Sequence, residues 1–328
     1  MNTRAPGLLA AVVCLAAAGA AQAQSAADTS PIITFQIEND STRPHSDQYY
    51  TSGLRLGYTS APNQLPDFLA DSGHALLGDG SQRMAVDLSQ LIFTPTNTQR
   101  RNPPLRDRPY AGLLMGSLSL IQDTADTRTV LGLGLGVIGP AALGEEVQNG
   151  FHTLIGQDDV RGWSTQVPNQ PVLQLTADRI WRIEGPRLGA LETDALPSLT
   201  AGAGTYRIYG QAGAQVRIGQ GLKTDFGTPR IRPGMSGTDA YGGANFAWYV
   251  FVGADGQAVA WDETLDGLPF AGSRHVGRVP FVGELEGGIA VMAWGFRVTA
   301  SQVLQTTEFR GQRAGLFQFS SLAISAKF

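Results

Sequence analysis

Cysteine is all but missing from this 328-residue chain, and the single one, Cys14, falls inside an N-terminal apolar stretch. If that stretch is removed, neither a disulfide framework nor a thiol nucleophile remains. Long apolar runs are missing as well. Beyond the N-terminus none reaches the ~18 residues that a spanning helix needs. Excess positive charge is also absent: 24 Lys and Arg face 28 Asp and Glu, for a net charge of −4. That balance offers no basic field for nucleic acid. Histidine is limited to four residues, so imidazole chemistry has few places to sit.

The N-terminus itself carries Arg4, an apolar run from Leu8 to Ala21, and then Ala21-Gln22-Ala23. One positive charge, a short apolar core and an A-x-A site predict a secretory signal over residues 1–23, cut after Ala23. The run is too short for a membrane anchor, and Cys14 lacks the small residue that precedes a lipoprotein cysteine. The mature chain, 24–328, is expected to be one domain. Losing Arg4 and no acid takes its net charge from −4 to −5.

What is present in quantity is glycine, 41 residues, with a mean hydropathy of −0.07. Apolar residues alternate with polar or small ones. Leu131, Leu133, Leu135 and Val137 alternate with Gly132, Gly134 and Gly136, and Leu54, Leu56 and Tyr58 with Arg55, Gly57 and Thr59. The same period governs Leu173 to Asp178 and Phe296 to Ser301. Period two is a strand signal. An exported, glycine-rich chain with one apolar and one polar strand face predicts an all-β fold, a transmembrane antiparallel β-barrel. Strands are expected at 32–39, 49–60, 82–93, 109–122, 127–138, 170–183, 188–204, 207–219, 243–262, 279–293, 294–308 and 315–328. Twelve is an even number, as single-chain bacterial barrels have. The last strand places Leu322, Ile324, Ala326 and Phe328 on one face and ends on an aromatic, as the closing strand of an outer-membrane barrel does. Segments 61–81 and 220–242 read as connections. Gly134 to Gly139 matches a G-x-G-x-x-G spacing, but inside an alternating strand it is no dinucleotide site.

With both termini on the periplasmic side, odd-to-even connections face outward. Asn39-Asp40, Thr51, the paired Arg100-Arg101 and the segment Glu145–Asp158 then share one rim. Residues 145–156 predict a short helix closed by Gly156, with Val147, Phe151, Leu154 and Ile155 as its apolar side. Gln148 and His152, four apart, project from one neighbouring face. An incidental histidine on a packed loop helix is the bland alternative. His45 reads as a rim contact, His74 and His275 as surface residues. The two arginines suit either a solvated loop or recognition of phosphate and carboxylate.

Several blocks together resemble the outer-membrane lipid A 3′-O-deacylase family. They are Glu38-Asn39-Asp40, Tyr50-Thr51-Ser52-Gly53-Leu54, Asp107-Arg108-Pro109-Tyr110-Ala111-Gly112, Gly136 to Pro140, and Gly144 to Asn149 followed by His152. The resemblance implies a twelve-stranded barrel in the outer membrane of a Gram-negative bacterium. It also implies hydrolysis of the 3′ acyloxyacyl ester of lipid A in lipopolysaccharide, and a calcium ion at the site. Carried over by position, Asn39, Asp40 and Thr51 are the polar rim residues near the metal, and Gln148 and His152 belong to the catalytic helix. Arg100, Arg101 and Asp158 contact substrate; Arg100 replaces a lysine and Asp158 a glutamate. No protein partner is implied.

The chemistry is coherent. An imidazole titrates near neutral pH and can take a proton from water. Calcium prefers hard oxygen ligands and would polarise the ester carbonyl. Gln148 could orient the histidine or the water. A serine-type lipase barrel fits less well, since no histidine has a serine two positions on. A porin is the other alternative, although inward charges such as Arg55, Asp178, Glu284 and Glu286 in a narrow lumen argue against open diffusion.

Overall fold

The computed structural model describes residues 30–40, 47–243, 245–270 and 272–328. The expected signal peptide and His45 lie outside the described residues. Among the described residues, thirteen strands form one sheet: β1 (Ile32–Asn39), β2 (Tyr49–Thr59), β3 (Ser81–Thr94), β4 (Ala111–Asp123), β5 (Thr127–Ile138), β6 (Gln170–Trp181), β7 (Ile183–Glu184), β8 (Glu192–Gly204), β9 (Arg207–Gln220), β10 (Phe246–Asp262), β11 (Phe281–Ala293), β12 (Phe296–Gln305) and β13 (Phe317–Lys327). Neighbours in the sheet pair antiparallel. The sheet closes into a ring, because β1 pairs with β13 and β6 with β8. The result is a twelve-stranded antiparallel barrel with β7 as a two-residue extra.

The expected strand that begins at 188 instead begins at Glu192. Leu188 and Leu191 bridge each other in a tight turn, which leaves β7 to pair with Asp194 and Ala195. Pro197 sits where β8 leaves its β7 partner and meets β6 at Ser198, a place where a missing N–H breaks no continuous ladder.

The alternation sorts chemistry to two sides. Ile33, Phe35, Leu56, Leu88, Leu118, Leu135, Leu175, Val252 and Ile324 point out, while Thr34, Gln36, Arg55, Ser117, Gln174, Arg217 and Arg297 are buried inside. An apolar exterior is the surface that lipid solvates. At the end holding Ile32 and Lys327, Tyr58, Phe246, Trp294, Phe296 and Phe328 are exposed, in the manner of an interfacial aromatic girdle.

Both expected connections hold structure. Segment 61–81 contains a helix, α1 (Asp67–Leu77). Its N-cap is Pro66 with no side-chain cap, so the usual start signal is missing. In the second, residues 221–243 turn into the lumen. Within it, Gly234 accepts a hydrogen bond from Thr176 Oγ1 (2.5 Å) and donates to Ser117 Oγ (3.2 Å). Ser236 N donates to Ser119 Oγ (2.8 Å), and Arg128 donates to the carbonyls of Thr238 and Ala240. Asp225 pairs with Arg217 and Arg297, and Asp239 with Arg55. The glycine row of β5 makes room for this plug: a Cβ on Gly132 would lie 2.1 Å from the Gly234 carbonyl oxygen. Towards the end opposite the termini, Tyr50, Phe93, Phe309, Phe317, Phe319 and Ile231 form an apolar core.

Candidate active site

The corner between β1 and β2 is built on a bulge. Against β3, Tyr50 pairs with Phe93 and Ser52 with Ile92, so Thr51 is the extra residue. A bulge bends its strand and re-aims groups at a rim. Here the Thr51 carbonyl accepts from Asp40 N (3.2 Å) and from Asn39 Nδ2 (3.2 Å). The Thr51 hydroxyl lies 2.7 Å from that of Thr94. Asp40 is buried, and its Oδ2 accepts from Gln48 N at 2.8 Å. Burial pushes its carboxyl up to about 9; the Gln48 N–H opposes that rise, and the neighbouring Asp47 carboxylate adds to it.

Over the same rim lies the second helix, α2 (Gly144–Ile155), with the bounds its period and closing glycine suggest. It is fixed at both ends by left-handed residues, Leu143 (φ 58°) and Gly156 (φ 71°). Gly144 abuts Gly112 and the Trp163 ring so closely that a Cβ would come within 2.7 Å of the indole. Its buried face is the polar one. Gln148 and His152 turn inward, with His152 only 7% exposed, while Phe151 (47%), Leu154 (80%) and Ile155 (48%) face outward. Of the expected apolar side, Val147 alone packs on the cluster of Ile92, Tyr110, Val160 and Trp163. An outward apolar face is what a helix lying against lipid shows.

The inward face is wired to one residue that sequence reasoning did not select. Asp47 Oδ2 lies 2.8 Å from His152 Nε2 and accepts from Gln148 Nε2 at 3.1 Å. Gln148 Oε1 in turn accepts from Trp163 Nε1 at 2.9 Å, which fixes the amide orientation. His152 Nδ1 is 2.8 Å from the Asp158 carbonyl oxygen. A carbonyl can only accept, so Nδ1 carries hydrogen; the Asp47 carboxylate also only accepts, so its 2.8 Å contact is a hydrogen bond when Nε2 is protonated too, in the imidazolium form. The parity of the loops already placed residues 40–48 on the rim of α2, and that was the one signal for Asp47.

The remaining candidates are more dispersed. Arg100 and Arg101 are exposed in the β3–β4 loop. That loop is stitched to the stretch after α2 by Arg161 N to Thr98 O (3.0 Å) and Gln99 Nε2 to Asp159 O (3.3 Å). Asp158 contributes its backbone to His152, and its side chain is exposed. His74 and His275 are surface residues bonded to the carbonyls of Gly78 and Ser273.

The profile of the family described as outer membrane protein LpxR matches residues 8–328. This chain belongs to the LpxR family. LpxR from Salmonella typhimurium superposes with a TM-score of 0.74 at 23% identity, over 90% of this chain and 100% of that one. The β domain of the Bordetella autotransporter BrkA follows at a TM-score of 0.44 and 11% identity, covering 91% and 99%. No curated protein sequence matches. The LpxR family is one of outer-membrane β-barrels, so the apolar exterior faces that bilayer. Among the described residues, no three His, Cys, Asp or Glu side chains converge as metal ligands. The oxygens at this LpxR rim come from two carboxylates, an amide and hydroxyls.

Proposed function

We propose that this protein is an outer-membrane lipid A deacylase, a hydrolase that releases the 3′-O-linked acyloxyacyl chain at the extracellular rim of the barrel. The observation that carries the reading is the pairing of His152 and Gln148 on Asp47, beside the buried Asp40, beneath a helix whose apolar side faces lipid. A hydrolytic group within reach of the membrane surface suits an ester whose acyl chains stay in the bilayer.

The donor set fits a hard divalent cation. Asp40 and Asp47 repel each other in a buried corner, and Asn39 and Thr51 add amide and hydroxyl oxygens, the ligand type calcium takes. Asp40, Asn39 and Thr51 would hold it, and when bound it would polarise the ester carbonyl. The chain's own groups do the rest. In its neutral Nδ1–H form, His152 takes the water proton on Nε2 as water adds to the ester carbonyl carbon, and the Nε2–H so formed donates to Asp47 while Nδ1 stays bonded to the Asp158 carbonyl. Asp47 stabilises the imidazolium so formed. When the tetrahedral intermediate collapses, the C–O bond to the sugar breaks and the same proton passes to the departing sugar oxygen. A free fatty acid and a 3′-hydroxyl result. Gln148, held by Trp163, keeps Asp47 in register with the imidazole. Arg100 and Arg101 face solvent, where fork-like guanidinium groups can meet the phosphates of lipid A.

Mass spectrometry of lipid A from cells producing the wild type, beside cells producing His152→Ala, tests this. The wild type should remove the 3′ acyloxyacyl mass and the variant should not. Unchanged lipid A from a folded, membrane-inserted wild type would sink the substrate assignment.

A further inference from the structure

The plug does more than fill the lumen: its tip reaches the corner that carries Asn39, Asp40 and Thr51. We infer that Arg230, at the tip of the 221–243 plug, is a positioning residue for this site and acts on it through Glu38. The inference rests on the reading of the rim as the deacylase site.

Glu38 immediately precedes Asn39 and is fully buried. Its carboxylate takes donors from two directions. From the plug come Arg230 Nε and Ile231 N, each 3.1 Å from Oε1. From the barrel wall come Gln36 Nε2 at 3.3 Å on Oε1 and the Tyr50 hydroxyl at 2.8 Å on Oε2. Tyr50 immediately precedes the bulged Thr51. One carboxylate thus ties the strand end bearing Asn39 and Asp40, the bulge bearing Thr51, and the plug. Arg230 is itself held in place, because its guanidinium stacks on Phe319 (4.9 Å) and pairs with Glu284 at 3.2 Å. The wall is carved to fit, since a Cβ on Gly53 would lie 2.1 Å from the Tyr50 hydroxyl and 3.1 Å from Ile231.

Removal of Arg230 leaves Glu38 buried with fewer donors, and a carboxylate in that state reorganises its surroundings. The first atoms to move are those bonded to it or one residue away. Displacements of about 1 Å in a catalytic constellation cost on the order of 10²-fold in rate.

The test compares wild type, Arg230→Met and Arg230→Lys in detergent, with folding verified by the heat-dependent gel shift of barrels. Two readouts are taken: hydrogen exchange of the peptide spanning residues 36–53, and kcat with KM on lipid A. Arg230→Met should lose at least about tenfold of the exchange protection in 36–53, with protection elsewhere in β3–β6 unchanged. Its kcat should fall about 10²-fold with KM within about threefold. Arg230→Lys, which keeps charge, should recover part of both. Glu38→Gln should mimic Arg230→Met, and the double variant should be no worse than the worse single one. Wild-type exchange and kcat in folded Arg230→Met, or fully additive losses in the double variant, would overturn the inference. Lost protection in Arg230→Met, with no lipid A turnover even by the wild type, would uphold the positioning role and overturn the lipid A reading instead. If Arg230→Met does not fold, Glu38→Gln carries the same comparison.

Discussion

At the scale of single residues, the most consequential side chain is Asp47. It is the residue through which Gln148 and His152, one helical turn apart, meet the barrel rim. Asp47→Asn keeps the size and can still accept from Gln148, but it removes the negative charge facing an imidazolium. We expect kcat to drop by about 10⁴-fold, the loss seen when the carboxylate paired with a catalytic histidine is neutralised, while the heat-dependent gel shift stays normal. A folded variant with full turnover would show that Asp47 is a bystander. Gly53 makes a different kind of demand. Its Cβ position is occupied by the Tyr50 hydroxyl, so Gly53→Ala must push Tyr50 off Glu38. Overpacking of this kind costs roughly 1–3 kcal/mol, measurable as a lower unfolding midpoint in guanidinium with refolded protein.

At the scale of elements, strands were legible where side chains alternate between lipid and lumen, as in β1 and β6. Segments 32–39 and 127–138 were placed to the residue, and α2 was readable from its closing Gly156. Its buried face was not. Apolar side chains normally mark the buried side of a helix, but here Gln148 and His152 turn inward while Phe151, Leu154 and Ile155 face outward, as they do on a helix beside a membrane. The plug was unreadable for a related reason: its glycines, prolines and acids look like a solvated connection, and only the arginines of distant strands show what it pairs with. A third short helix, α3 (Glu263–Asp266), was also invisible, being four residues long. It packs over the far side of the mouth, where Arg108 bonds Thr264 (2.9 Å) and pairs with Glu308. Within α3, Glu263 accepts from Gln170 at 2.7 Å. Burial, with a contribution from Asp262, pushes its carboxyl up to about 8, against the Gln170 bond that pulls it down. A raised carboxyl means that the folded state holds a proton the unfolded chain has released. Stability should therefore fall as pH rises from about 5 to about 8 and level off above. Glu263→Gln should flatten that slope and raise the thermal midpoint at about pH 8.5 by about 2–4 °C. Parallel slopes in wild type and variant would show that Glu263 is ionised in the fold.

At the scale of the whole molecule, twelve strands enclose enough width for a narrow pore, yet the plug crosses that space from the end that holds the termini to the apolar core beneath the rim. Its contacts are ionic and backbone-directed: Asp225 between Arg217 and Arg297, Asp239 on Arg55, Gly234 on Ser117 and Thr176. A lumen so occupied should pass no ions, and the wild type in planar bilayers should show no conductance steps. Replacing residues 223–243 by a short Gly-Ser turn should open steps while leaving the barrel folded. The arginines released in that variant would face water instead of protein, so the usual penalty of several kcal/mol for orphaning a buried charge is largely avoided. The two measurements on that variant are coupled in an informative way. Loss of the plug also removes Arg230 and Ile231 from Glu38, so conductance should appear together with a fall in deacylation. A variant that conducts yet turns over lipid A at the wild-type rate would separate sealing from catalysis and leave the plug as a stopper alone.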